Sequence, residues 1–254
     1  MNGPSDPIDL RDLLTHRDPS QLWFQLAEIV NDRTYLQHGI EVDPGDVVID
    51  VGANVGVAAA FFLTDCQAGE VHSFEPVPAI HEMLVENVKT LPGARTYQFG
   101  LSDTASQEDF TYYEGATAMS SRYALPGRDR NMVKTVLLGM GLSEAEADDR
   151  LEGDFLPQTV SCELRPLSSV IDAEEIARID LLKVDVERAE LDVLRGINER
   201  HWSLVRQVVA EVHDEGDRLG QIRTLLESQG FDVHLGQEEN MKRTDVFVLY
   251  ARRT

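Results

Sequence analysis

Val47-Val48-Ile49-Asp50-Val51-Gly52-Ala53-Asn54-Val55-Gly56 is the stretch from which the rest of the chain is read. A short apolar run closes on an acid, two glycines stand four residues apart, and the alanine-rich Val57 to Leu63 follows. An apolar run of this length fits a strand buried on both faces, and the residues after the glycines stay apolar over a helical span. Strand, tight turn and helix open a βαβ unit of a parallel sheet. Glycine at 52 and 56 removes Cβ where a ligand lies against the backbone, or where helix and strand pack closely. The positive end of the helix dipole then faces that ligand.

Details of the turn select the ligand. A dinucleotide-binding turn reads Gly-x-Gly-x-x-Gly, so that a pyrophosphate can approach the middle glycine; here that position is Asn54. Asp50, two residues before Gly52, suits a ligand that carries an ammonium. S-adenosylmethionine (SAM) carries one, with a sulfonium and a ribose. Asp-x-Gly-x-x-x-Gly resembles the first motif of class I SAM-dependent methyltransferases. A NAD-dependent oxidoreductase is the alternative, disfavoured by Asn54.

Downstream, the α/β rhythm continues. Glu70 to Pro76 reads as a second strand ending in Glu75, about twenty residues past the turn, where a βαβ unit meets a ribose. Pro76 stops the ladder. Ile80, Leu84, Val88 and Leu91 mark an amphipathic helix, and Tyr97 to Asp103 reads as a third strand whose end, Ser102 and Asp103, borders the crevice. From about 105 to 164 the alternation breaks; this is expected to be a lid or substrate insertion on a domain spanning 41–254. Within it, Met132, Val133, Val136, Leu137 and Met140 share a helical face, and Ser143 to Glu146 is a capping box. Arg122, Arg128, Arg130 and Lys134 form a basic cluster that either binds an anion or neutralises the acidic helix after Glu144.

The rhythm resumes at Ile179 to Glu187. Lys183, Asp185 and Glu187 alternate with buried residues, and three charges on one face of a central strand require pairing or a cleft. Val205 to Val212 ends in Glu211 and His213 on a shared face. Phe231 to Leu235 and Asp245 to Tyr250 are expected as a closing antiparallel pair. Residues 1–40 are expected to be a helical lead-in, polar up to about Pro19, whose helix (Leu22, Trp23, Leu26, Ile29, Val30) packs on the core or closes over a ligand.

Composition narrows the function. The 254 residues hold 23 Lys+Arg against 45 Asp+Glu, a formal charge of -22, so the cation surplus that nucleic-acid binding draws on is absent. No apolar run reaches a membrane span, no signal pattern opens the chain, and Cys66 and Cys162 lack metal spacing. A cytoplasmic protein with no membrane or nucleic-acid partner is expected.

VVIDVGANVG, HSFEPVP, GLSD and LLKVDVERAELDVLRGI together resemble the successive motifs of FkbM-family SAM-dependent methyltransferases, over roughly residues 35–250 outside the insertion. The resemblance implies a Rossmann-like class I fold, a doubly wound, mostly parallel seven-stranded sheet, and O-methylation of a polyketide-type natural product or a sugar. Carbon and nitrogen acceptors, and free or carrier-tethered ones, stay open, as does the oligomeric state. One departure stands out: Arg188 follows Glu187 where the family usually has glycine. The expected donor contacts are Asp50, Gly52, Asn54, Gly56, Glu75, Pro76, Ser102, Asp103 and Asp185. His213 is the candidate general base, oriented by Glu211, Asp185 or Glu187, with Lys183 holding a carboxylate. No metal is expected, although Asp185, Glu187, Glu211 and Asp214 offer oxygen ligands.

Overall fold

The Val47–Val51 strand (β1) lies at the middle of the large sheet, and its inner residues are almost wholly shielded from solvent. Val48 faces one apolar cluster and Ile49 the other, so alternate residues feed helices on both sides, as a doubly wound sheet requires. The computed structural model describes residues 19–237 and 241–253, together with Leu10 and Leu14. The polar lead-in lies almost wholly outside these residues.

Seven strands run in the order β3-β2-β1-β7-β8-β10-β9. Here β2 is Glu70–Phe74, β3 Ala94–Tyr97, β7 Leu181–Val184, β8 Gln207–His213, β9 Asp232–Gly236 and β10 Val246–Arg252. The first five are parallel to one another, while β10 runs antiparallel to both β8 and β9, the closing pair expected from the sequence. The chain runs outward from β1 through β2 to β3, then returns to β1's other side at β7. Ligands bind at such a switch point.

Helices α1 (Pro19–Gln25), α2 (Val57–Thr64) and α3 (Pro78–Val88) precede the break in rhythm. The α2 helix opens on Gly56 at φ +93, and a Cβ there would meet Leu84 Cδ1 at 2.8 Å. Gly56, expected at the donor, allows this close helix packing. Its helix is buried on nearly all sides, with Ala58, Ala59 and Ala60 permitting close approach. Each fully buried Val, Leu or Ile of this core is worth about 1.5–3 kcal/mol.

The third strand departs from expectation. It ends at Tyr97, and Gly100–Leu101 (β4) joins a second, three-stranded sheet with β5 (Ser106–Tyr113) and β6 (Pro157–Arg165), in the order β4-β6-β5. A Cβ at Gly100 would lie 2.6 Å from Leu164 Cδ2, so glycine allows β4 to press on β6. The exposed, polar residues of β6 had concealed it as a strand. Between β5 and β6 stand α4 (Pro126–Gly139) and α5 (Glu144–Arg150), the latter opened by the Ser143–Glu146 capping box. The remaining helices are α6 (Leu167–Ala173), α7 (Glu190–Arg195), α8 (Glu199–Trp202) and α9 (Arg218–Ser228). Among the described residues no helix is long and apolar enough to cross a membrane.

Candidate active site

Strand register builds the site. Asp50 on β1 stands opposite Lys183 on β7, both at most 2% exposed, with Lys183 Nζ 3.1 Å from Asp50 Oδ1. The same ammonium donates to the Gly52 carbonyl at 2.8 Å and lies 3.6 Å from Asp185 Oδ2. Burial alone would lower the lysine; Asp50 and Asp185 outweigh it and hold it above its ordinary value. Asp50 thus neutralises Lys183 inside the sheet. Expected to meet a ligand ammonium, it is fully buried and is not among the residues that line the cavity described below.

Gly52 holds the turn after β1 at φ +74, and a Cβ would sit 1.8 Å from the Asp185 carbonyl oxygen. Its N–H and that of Ala53 both donate to the Phe74 carbonyl, which ties the turn to β2. Glu75 caps this arrangement: its oxygens accept from Asn54 N–H at 3.2 Å and Val77 N–H at 2.9 Å. Burial lifts the carboxyl to about 7 against these donors. Glu75, expected at a ribose, accepts these two backbone bonds and helps to keep Asn54 at φ +47.

A cavity of about 370 Å³ opens over the turn, within the usual range of small-molecule sites, about 300–1,000 Å³. Gly52, Asn54, Lys183, Asp185, Glu187 and Glu211 line it, so six of the expected residues meet in one place. Trp23 and Phe24 of α1, Met132, Val133, Val136 and Leu137 of α4 and its C-cap Met140 line it too. None of that α4 face belongs to either apolar core cluster. Tyr35, which sequence reasoning passed over, lines the cavity and donates to Asp185 Oδ2 at 2.8 Å. No local pattern marks it; only its position before β1, on a segment anchored to the sheet through Gln207 and Tyr250, brings it there.

Pro76 lines a separate cleft of about 30 Å³ with Leu101 and Phe110, and Gly52 borders both spaces. Ser102 and Asp103 line neither. Arg122 Nη2 donates to Ser102 Oγ at 3.1 Å and reaches Asp192 Oδ2 at 2.6 Å, while Asp103 is exposed. The basic cluster disperses into pairs: Arg130 with Asp148, Lys134 with Glu144 and Asp148, Arg128 with Glu215 and Asp245. Neutralisation of acidic neighbours, not an anion site, accounts for it.

His213 is 1% exposed and stands behind the cavity wall. Its Nε2 lies 3.1 Å from Glu187 Oε2 and 4.0 Å from Glu211 Oε1. Burial pulls the imidazole down, but Glu187 and the buried Glu190 outweigh it and hold it at about 9. His213 lies against Glu187 inside the wall and does not itself line the cavity, where the candidate general base was expected. One atom from each of Glu187, Glu211 and His213 lies within 4.8 Å of the others, a spacing that could hold a metal ion.

The fold and site define a doubly wound α/β protein with an acid-rich, half-apolar ligand cavity at its switch point. Residues 50–233 match the methyltransferase FkbM domain. The chain belongs to the FkbM methyltransferase family, and it is a methyltransferase. It is 37% identical to 31-O-demethyl-FK506 methyltransferase FkbM of Streptomyces tacrolimicus, covering 95% of this chain and 94% of that protein. It is 35% identical to the AMB antimetabolite synthetase AmbE of Pseudomonas aeruginosa, over 89% of this chain but 11% of AmbE. Methyltransferase sdnD of Sordaria araneosa is 33% identical, with 83% and 82% covered.

Proposed function

We propose that this chain transfers the methyl group of SAM to a hydroxyl oxygen of an apolar, polyketide-type small molecule, free or tethered to a carrier. The observation that carries this reading is the mixed lining of the cavity: carboxylates and the glycine turn from the strand ends, methionine and aliphatic side chains from α4. A sulfonium and an ammonium suit the acidic lining, where Glu28, Asp154, Asp185, Glu187 and Glu211 outnumber the cations Arg150 and Lys183. The apolar wall favours a polyketide over a sugar, because a sugar would lose water there without replacement hydrogen bonds. The names of two relatives agree with either delivery: one acts on 31-O-demethyl-FK506, and one is a synthetase of which this chain matches a small part.

SAM supplies a methyl group already activated by the sulfonium, so the protein's task is in-line placement and removal of one proton. Gly52, bordering both spaces, would lie against the donor. Tyr35 and Lys183 fix the Asp185 carboxylate. Glu187 is the base that receives the hydroxyl proton, and His213 Nε2, 3.1 Å from its carboxylate, holds it in place.

The test is a thermal melt with S-adenosylhomocysteine, with NAD as control. Ligand at about a hundred times its dissociation constant adds roughly 2.7 kcal/mol, an upward shift of about 5–10 °C for a domain of this size. A shift with NAD and none with S-adenosylhomocysteine would overturn the reading.

A further inference from the structure

Two consecutive residues at the mouth of β7 hold left-handed backbone without being glycine: Glu187 at φ +48 and Arg188 at φ +75. Such positions persist only where surrounding contacts over-determine them. The contacts are made by the Arg188 side chain, 3% exposed although it follows a cavity-lining residue. Its Nη2 lies 2.9 Å from Asp129 Oδ1, and its Nε donates to Glu215 Oε1 at 2.9 Å. Its backbone N–H donates to Glu190 Oε1 at 2.7 Å.

Asp129 is the key partner. It is fully buried in the first turn of α4, where its Oδ2 accepts from Leu125 N–H at 2.7 Å and from Tyr113 Oη at 3.3 Å. Arg128, its neighbour, reaches the same Glu215 oxygen at 2.9 Å and Asp245 at 2.6 Å. The first turn of α4 is thereby bolted to the carboxyl ends of β7 and β8 and to the segment entering β10. One to three turns further along the same helix is the apolar face that lines the cavity. On the other side of the turn, Ser121 Oγ donates to the Glu187 carbonyl at 2.7 Å, so the insertion grips this residue from both flanks.

We propose that Arg188 is a positioning residue for the acceptor half of the site: its fork holds the α4 wall over the cavity and, through the left-handed turn, aims Glu187 into it. Glycine would take up the same backbone without strain but would leave α4 held only through Arg128, and Asp129 buried without its cation. The inference rests on the α4 face being the acceptor wall, as proposed above.

The experiment compares wild type with Arg188→Gly by three readouts: hydrogen exchange along residues 126–139, affinity for S-adenosylhomocysteine, and affinity for the neutral apolar dye N-phenyl-1-naphthylamine. Because a buried ion pair is lost, exchange in α4 rises by at least about tenfold while β1 stays protected. Dye affinity falls several-fold, and S-adenosylhomocysteine affinity stays within about twofold. Arg188→Lys, which keeps the charge without the fork, falls between the two. Unchanged exchange in α4, or donor and dye affinities falling together, overturns the proposal. Should Arg188→Gly not fold, Asp129→Asn weakens the same contact from the helix side, and the same selective pattern is required of it. Wild type that fails to bind S-adenosylhomocysteine refutes the reading of the cavity, whereas the exchange readout still tests the anchor by itself.

Discussion

Replacing Lys183 with methionine tests whether the ion pair inside the sheet or the stem around it carries the site. Methionine keeps nearly the volume of the lysine stem, so packing changes little. The charge does not survive, and Asp50, fully buried, loses the ammonium 3.1 Å away. Breaking a buried pair from one side costs about 3–5 kcal/mol, mostly from the stranded partner. Asp50→Asn removes that stranded charge, so the double variant Asp50→Asn/Lys183→Met should lose at least about 2 kcal/mol less than the sum of the singles. Urea unfolding of all four proteins measures this, provided the slope with denaturant stays constant across the set. Lys183 also donates to the Gly52 carbonyl, so both Lys183→Met proteins should bind S-adenosylhomocysteine more weakly even where stability returns. A single variant losing less than about 1 kcal/mol, or a strictly additive double, would refute the reasoning and return Asp50 to the list of ligand contacts.

His213, held at about 9 in the fold against about 6.5 when unfolded, is a group of raised folded-state pKa. Its contribution, on the order of 3 kcal/mol, is complete below about pH 6.5 and is lost as pH rises through about 9. Melting temperature should fall over that window in wild type and stay flatter in His213→Gln; parallel profiles would remove the imidazolium from its place between Glu187 and Glu190. Gly52→Ala sets a Cβ 1.8 Å from the Asp185 carbonyl at φ +74, and should cost about 1–2 kcal/mol in backbone strain plus about 1–3 in overpacking. Gly45→Ala, at φ +90 with nothing within 4 Å, costs the strain alone; equal losses in the two would show that the turn does not need the close approach.

The strand-turn-helix opening was legible because its causes are local: an apolar run, two glycines and alanines at helical span. The alternation of Lys183, Asp185 and Glu187 was equally local and correctly implied a cleft or a pairing, yet not which of the two each acid serves. That depends on register between strands more than a hundred residues apart: β7 sets Lys183 beside Asp50, which removes Asp50 from the ligand. The left-handed turn then carries Glu187 into the cavity while Arg188 turns back toward the insertion. The helical face of α4 could be read from spacing, but apolar spacing looks the same whether the face meets a core or a ligand. Only its exclusion from both core clusters separates the cases. His213 shows the limit from the other side. Its residue type suits a base, and its strand end suits the crevice, but its proton is decided by Glu187, Glu190 and Arg188, which arrive from the turn after β7. A histidine's role in such a site is thus set by the carboxylates that surround it.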